Sequence, residues 1–350
     1  MSKNNIDGSP VEIGFTKRRL FGNAWEGLQK PFAPDYERVK VFRQILENVA
    51  PEWLLEAESF AKDEILEYLD YQCRRPEPTP DTLCDANCST LLALGSHAKG
   101  GHSLLLKIRD EAPNPQILFH QKLDARYAVL AGTNVGNMGF AQMVNSAGLM
   151  GGNNTGGPIS DQNLEPGLND CLVLRLIAER CATCQEALAL VRQLAAEKYL
   201  GVAGYARGMI FLLADATGEG MIIECTRTEV YSKVFTDGIF VRTNHFLFEE
   251  MEPRTDHSRL EEASMKSSYE RYSRMTMLAG EKILSPQDLM DISRDQSGTY
   301  PLCQVKSQFP WRTVSSWIHE IGHDDSNITT YACNQAPVLS SYSVFKTKKL

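Results

Sequence analysis

Apolar residues recur at three- and four-residue steps between Asp35 and Leu69. Val39, Phe42, Ile45 and Leu46 form one series, and Trp53, Leu54 and Ala57 open another. That period puts them on one face of a helix, so the opening of the chain is expected to be α-rich. Pro76, Pro78 and Pro80 then break the pattern, and Arg74 to Pro80 reads as an exposed, extended linker. Beyond Cys88 the pattern changes to apolar runs between turn residues, which predicts strands at Ser103 to Ile108, Gln116 to Leu123, Tyr127 to Gly132 and Met138 to Asn145. Gly148 to Gly157 is dominated by glycine and reads as tight turns.

Helical periodicity returns at about Asn169 to Glu179 and Gln185 to Lys198, with Leu172, Leu176, Ala187 and Val191 on the apolar faces. A second strand set follows. Met209 to Ala214 and Met221 to Cys225 flank the turn at Asp215 to Gly218 as a hairpin, and Val230 to Val234 and Gly238 to Thr243 continue it. Leu260 to Ala279 and Pro286 to Ser293 read as helices. Thr313 to Ile321 and Ile328 to Cys333 form a last hairpin, closed by Val338 to Phe345. The order strands, helices, strands, helices, strands suits stacked sheets with helices outside and does not suit a βαβ repeat.

With 350 residues, 43% of them hydrophobic and 23% charged, the chain can bury a large core and is neither disordered nor fibrous in composition. Its net charge of −8 and scattered basic residues argue against nucleic-acid or anionic-membrane partners. Lys346, Lys348 and Lys349 read as a solvated tail. Met1 to Pro10 is polar and no run of eighteen apolar residues occurs, so a cytoplasmic location and no membrane contact are expected. Nine cysteines, an odd count without an export signal, favour free thiols over disulfides. Most of them are expected to be small buried hydrophobes.

One of the nine stands at the junction between the helical opening and the first strands, in Asn87-Cys88-Ser89-Thr90. A nucleophilic thiol needs a base. If the chain is cut just before Cys88, the α-amino group of that residue, with an unperturbed pKa of roughly 8, supplies one. Gly101-His102 and an apolar strand ending in Asp110 follow shortly after.

These segments resemble the acyl-coenzyme A:6-aminopenicillanic acid acyltransferase family of autoproteolytic enzymes, and more distantly bile salt hydrolases and penicillin V acylases. Three further stretches are similar to the family pattern: Asn145-Ser146-Ala147-Gly148-Leu149 leading to Asn153-Asn154, then Arg242-Thr243-Asn244-His245-Phe246, then Ser268-Tyr269-Glu270-Arg271. The resemblance implies a four-layer αββα sandwich of the N-terminal-nucleophile hydrolase type, in the α+β class. It implies a helical pro-segment at 1–87, a catalytic domain at 88–350 and self-cleavage between Asn87 and Cys88.

By the same resemblance, Asp110 holds the freed amine, Asn244 lies beside the nucleophile, Asn153 or Asn154 lines the oxyanion pocket and Arg271 balances charge. Fixed side-chain amides can donate to a developing oxyanion without reorganising, which is why asparagines suit these positions. The chain departs from its relatives twice. Lys107 stands where they carry an arginine and cannot supply a planar fork, and Asn87 replaces their more usual glycine.

The expected activity is that of a self-processing cysteine amidohydrolase or acyltransferase. It would act on a small N-acyl, amide or acyl-thioester substrate through a Cys88 acyl-enzyme, with no cofactor or metal, and self-association is left open. Two other classes compete: a zinc-dependent metallohydrolase, and an uncleaved relative that acts as a binding protein. His319-Glu320-Ile321-Gly322-His323 matches His-Glu-x-x-His, but its surroundings read as strand and turn, where the two imidazoles would not converge. Cys181-Ala182-Thr183-Cys184 reads as a helix entry capped by Thr183, with Glu186 three residues on. Cys84 is a rival nucleophile without the Ser-Thr sequel.

Overall fold

The computed structural model describes residues 4–28, 33–73, 87–112, 114–161, 165–203, 206–305, 311–322 and 327–349. The proline linker at 74–80, Cys84 and His323 lie outside these residues.

The chain opens with a strand that its composition conceals, β1 (Asn4–Gly8), followed by α1 (Pro10–Glu26). Ser9 and Glu12 close a reciprocal capping box around Pro10 at the first helical position. The apolar period of α1 is blurred because Gly14, Lys17 and Gly22 are buried while Phe15 and Leu20 are exposed. α2 (Tyr36–Val49), α3 (Pro51–Ala61) and α4 (Ile65–Cys73) follow and divide the predicted helical region at Pro51.

Then come β2 (Asn87–Leu94), β3 (Ser103–Glu111), β4 (Gln116–Leu123), β5 (Val129–Asn134), β6 (Gln142–Asn145) and β7 (Met150–Pro158). α5 (Asp170–Arg180) and α6 (Cys184–Ala196) precede β8 (Arg207–Ala214), β9 (Gly220–Cys225), β10 (Val230–Phe235) and β11 (Gly238–Arg242). α7 (Ala263–Ala279), α8 (Pro286–Ser293), β12 (Arg312–Ile321), β13 (Asn327–Cys333) and β14 (Ser343–Lys348) complete the order. Thr183 caps α6 as expected, accepting from the Glu186 amide.

Two sheets result. One runs β1-β4-β5-β6-β7-β8-β9-β10 and the other β11-β2-β3-β12-β13-β14. All neighbours are antiparallel except β1 on β4. Three apolar cores make four layers of this: Phe42, Trp53, Leu172 and Phe211 between the first helices and the eight-stranded sheet, Leu92, Leu118, Ile210 and Trp317 between the sheets, and Leu91, Leu106, Met275 and Leu289 between the six-stranded sheet and α7–α8. The protein is an αββα sandwich of the α+β class.

The glycine-rich stretch corrects the turn reading. β7 is a fully buried strand, and its glycines answer to close neighbours instead of chain reversal. A Cβ on Gly151 would meet Leu213 at 2.5 Å, one on Gly156 would meet Phe246 at 2.8 Å, and one on Gly152 would crowd Lys107 at 3.3 Å. The reversal before the strand belongs to Gly148 alone, at φ +85°.

The region before Cys88 is joined to the sheet both by β1 and by a buried ionic cluster. Glu56 of α3 accepts from Lys17 of α1 at 2.6 Å and from both terminal nitrogens of Arg175 on α5. Arg175 Nε donates to Glu179 at 2.8 Å, and Trp53 Nε1 and Gln121 Nε2 donate to the same carboxylate at 2.9 and 3.0 Å. Among the described residues no helix is long and apolar enough to cross a membrane.

Candidate active site

Strand alternation decides which way each residue at the β2–β3 junction points. Leu92 and Leu94 sit in the core between the sheets and Leu91 and Ala93 under α7–α8, so the two-residue period sends Cys88 and Thr90 between the sheets and Asn87 and Ser89 toward α7. On β3, Leu105 faces between the sheets and Leu104, Leu106 and Ile108 face the helices. Lys107 and Arg109 therefore share the Cys88 side, and Asp110 shares the Asn87 side. The register pairs Cys88 with Arg109, Thr90 with Lys107 and Asn87 with Asp110.

On the helix side, Arg271 reaches the strand from α7 with no solvent exposure. Its Nη1 donates to the Cys88 carbonyl at 2.6 Å and to Ser89 Oγ at 2.8 Å, and its Nη2 donates to Asn87 Oδ1 at 3.2 Å and Asn244 Oδ1 at 2.8 Å. Ser267, one helical turn earlier, holds Nε at 3.0 Å. Asn244 Oδ1 also accepts from the Cys88 amide N–H at 2.8 Å, while its Nδ2 donates to the Thr155 carbonyl at 2.8 Å. Asn244 thus offers an acceptor to the nitrogen of residue 88.

Asp110 accepts from Thr313 Oγ1 at 2.6 Å and from Gln304 Nε2 at 3.2 Å. Burial pushes its carboxyl up to about 6, against the opposing pull of Arg271 and these two neutral donors. His245 bonds Ser268 Oγ at 2.8 Å, and burial with the Arg271 and Arg242 charges presses it down to about 3, so it is neutral.

On the side between the sheets, the choice between the two asparagines is made by the register of β7. Asn154 pairs with Ile210 and faces Cys88, whereas Asn153 pairs with Phe211 and turns to the α5 side, where its Nδ2 meets Cys171 Sγ at 3.3 Å. Asn154 Oδ1 accepts from Thr90 Oγ1 at 2.7 Å and Lys107 Nζ at 2.5 Å. Its Nδ2 gives one hydrogen to the Arg242 carbonyl at 3.0 Å and the other to the Thr243 carbonyl at 2.9 Å. In this state Asn154 is an organiser of Lys107 and of the β7–β11 approach. Lys107 Nζ also donates to the Asn153 carbonyl, and it lies beside the Cys88 thiol, on which its charge acts.

Burial pushes the Cys88 thiol up, and the Lys107 and Arg109 charges pull against it. Burial pulls Lys107 down from its usual range, with Cys88 opposing. Arg109 is engaged elsewhere, by Glu111, Gln116 and Asn134.

Asn87, Cys88, Asn244 and Arg271 thus meet in direct hydrogen bonds, Asp110 lies opposite Asn87 in register with its carboxylate on Thr313 and Gln304, Asn154 lies one step from the thiol through Thr90 and Lys107, and Asn153 contributes its carbonyl while its side chain leaves the group. Reading the chain missed that Lys107 shares the face of the thiol, although alternation from Leu105 could have found it. It also missed Gln304 and Ser267. Thr313 was within reach, because it opens a strand read from its β-branched pattern, but Gln304 lies in a stretch with no periodic signal. His319 lies in β12, fully buried and bonded to Thr330 Oγ1 at 2.9 Å, and burial presses it to about 3. A strand does not bring it onto one helical face with residue 323.

A family model described as "Acyl-coenzyme A:6-aminopenicillanic acid acyl-transferase" matches residues 100–334, a span that begins downstream of Cys88 and includes Asp110, Asn154, Asn244 and Arg271. Among solved structures the chain is similar to a penicillin V acylase from Agrobacterium tumefaciens (13% identity, TM-score 0.43, 75% of this chain and 86% of that one). It is similar to an N-acylethanolamine-hydrolyzing acid amidase ortholog from Caenorhabditis elegans (11%, 0.42, 66% and 92%). It is also similar to a mutant of the conjugated bile acid hydrolase from Clostridium perfringens (12%, 0.42, 75% and 97%). A comparison with curated proteins finds no match.

Proposed function

The chain belongs to the acyl-coenzyme A:6-aminopenicillanic acid acyl-transferase family, and from that premise we propose that it is a cysteine amidohydrolase or acyltransferase that releases its own nucleophile by cutting between Asn87 and Cys88. The observation that carries this reading is the set of contacts around residue 88. Its amide nitrogen meets Asn244 and its carbonyl meets Arg271, while its thiol shares a face with Lys107, all inside the protein.

Self-cleavage adds Cys88 Sγ to the Asn87 carbonyl carbon and breaks the bond from that carbon to the Cys88 nitrogen, leaving a thioester. Water then hydrolyses the thioester to an Asn87 carboxylate and a free thiol and amine. In the processed enzyme the amine serves as base for the same sulfur. Sγ takes the acyl group of a small N-acyl amide or acyl thioester, and water or an amine accepts it. Arg271, whose Nη1 donates to the Cys88 carbonyl, and Asn244, whose amide lies beside the residue-88 nitrogen, are the proposed donors to the charge that develops on oxygen. Asp110, across from Asn87, is the proposed partner of the new ammonium.

Residues 1–87 would then be the released segment and 88–350 the catalytic chain. The β1–β4 pairing and the Lys17–Glu56–Arg175 cluster support continued docking of the two pieces after the cut, since separation would leave charges buried without partners.

Intact mass of purified protein tests the reading. Wild-type chain is expected as two masses, one beginning at Cys88, and Cys88→Ala as one mass without turnover of a panel of N-acyl amides. A wild-type protein that remains one chain and binds such amides without turning them over would instead favour the binding-protein alternative.

A further inference from the structure

Before the cut, the nitrogen of residue 88 is an amide and cannot act as a base, so the first reaction needs a different proton acceptor. The side chains packed around the thiol narrow the choice. Arg109 keeps its proton and is paired with Glu111 on the same strand. Arg271 and Asp110 lie on the opposite face of the sheet, and Asp110 is turned toward Thr313 and Gln304. Asp170, at the start of α5, acts on Lys107. His245 sits behind Ser268.

Lys107 stands on the same face of the sheet as the sulfur, on the strand beside it and one register step away, and its charge and hydrogen-bonding capacity act on the thiol. Its nitrogen is held by two hydrogen-bond acceptors, Asn154 Oδ1 and the Asn153 carbonyl, and beside them faces the Cys88 thiol. That geometry suits both protonation states. A neutral amine has two hydrogens for the two oxygens and a lone pair for the S–H, whereas an ammonium has three hydrogens for the two oxygens and a thiolate. An arginine at this position would serve only the second arrangement, because a guanidinium does not give up its proton in a protein.

We infer that Lys107 is the general base of self-cleavage, taking the Cys88 S–H proton as sulfur adds to the Asn87 carbonyl carbon and returning it to the Cys88 nitrogen as the carbon–nitrogen bond breaks. This rests on the self-cleavage reading above and deepens it: the substitution of lysine for the family's arginine supplies the base for the first reaction, and the liberated α-amine supplies it afterwards. Burial lowers the affinity of Lys107 for its proton, with the Cys88 thiol opposing, and so favours the neutral amine that a base requires.

The test follows cleavage of full-length chain made by cell-free translation, by mass over time and from pH 5.5 to 9, for wild type, Lys107→Arg, Lys107→Met and Cys88→Ala. Lys107→Arg keeps the charge and the hydrogen bonds and guards against misfolding of the methionine variant. It is expected to cut about a hundredfold more slowly at neutral pH. Its rate should climb about tenfold per pH unit, because the thiol must then ionise to solvent, while the wild-type rate rises less steeply over the same range. Lys107→Arg cutting at the wild-type rate with the wild-type profile would overturn the inference and leave self-cleavage standing. Cleavage of Cys88→Ala, or a wild-type chain that never cuts, would remove the self-cleavage reading and the inference with it.

Discussion

Glu56 and Asp110 are both carboxyl groups sealed from solvent, one in the helical layer and one under α7, and the protein treats them in opposite ways. Burial raises the proton affinity of each. At Glu56 the Arg175 and Lys17 charges, delivered through direct hydrogen bonds, outweigh burial and pull the group down to about 2. At Asp110 the direct donors are a hydroxyl and an amide, and the group stays up at about 6. Around Glu56 two cations, Lys17 and Arg175, meet two carboxylates, Glu56 and Glu179. Around Cys88, Lys107 donates to amide oxygens beside the thiol, and Arg271 meets a carbonyl, two hydroxyls and two side-chain amides. A charge cluster closed on itself holds elements together, and one left open has protons and hydrogen bonds to give to a reaction.

The largest effect that would test this division is Glu56→Gln. It leaves Lys17 and Arg175 without their shared counter-charge, and loss of one member of a buried ionic set costs about 3–5 kcal/mol. Urea unfolding should show that loss while the folded fraction still cuts itself at the wild-type rate. A cleavage defect larger than the stability defect would break the comparison. Arg271→Met is the reciprocal change. Removing a donor aimed at reacting backbone commonly costs about a hundredfold or more in rate, and that loss should appear in the cleavage time course. Stability should fall by about 1–3 kcal/mol, from the acceptors left buried.

Next in size is the effect of pH on the two carboxyls, which carry opposite signs. Glu56 has a depressed pKa in the folded state, so its contribution is present above the unfolded value near 4.5 and fades as pH falls through about 2. Asp110 has a raised pKa, so its contribution is full below the unfolded value near 3.8 and is lost as pH rises through about 6. Asp110→Asn removes the second dependence. Denaturant curves should place the variant level with or below wild type at pH 4 and up to about 2 kcal/mol above it at pH 7. Equal spacing at both pH values would mean that Asp110 is ionised throughout.

Much of this is legible along the chain. Gln116–Leu123 and Pro286–Ser293 read with the boundaries the fold has, because each has a clean period and clear stops. α1 escapes because its buried face is glycine, lysine and tryptophan, and only its capping box announces it. β7 reads as turns because its glycines are dictated by Lys107, Leu213 and Phe246, residues distant in sequence. The split of β10 and β11 between two sheets follows from pairing, which no local window contains. At the site, family pattern marks the candidate residues. Their division between the two faces of β2 and β3, and the choice of Asn154 over Asn153 as the side chain facing Cys88, need the register.

The smallest expected change in stability sharpens the comparison most. Gly14 and Gly152 each make room for a cluster, but what crowds them differs. A Cβ on Gly14 would lie 2.4 Å from the Glu56 backbone oxygen, which is fixed in α3, so Gly14→Ala should push two helices apart. A Cβ on Gly152 would lie 3.3 Å from Lys107 Cδ, part of a side chain that can give way. Gly152 has no positive φ, so alanine there restricts the unfolded chain and recovers about 0.4–1 kcal/mol against the crowding. Net stability of Gly152→Ala should therefore stay within about 0.5 kcal/mol of wild type. The displacement of Lys107 has no such offset, since its nitrogen must remain between Asn154 Oδ1 and the thiol to pass a proton. Self-cleavage of Gly152→Ala should slow by about tenfold while its denaturation midpoint barely moves. A variant that cuts at the wild-type rate would show that the lysine tolerates this shift and that the open cluster is looser than its hydrogen bonds suggest.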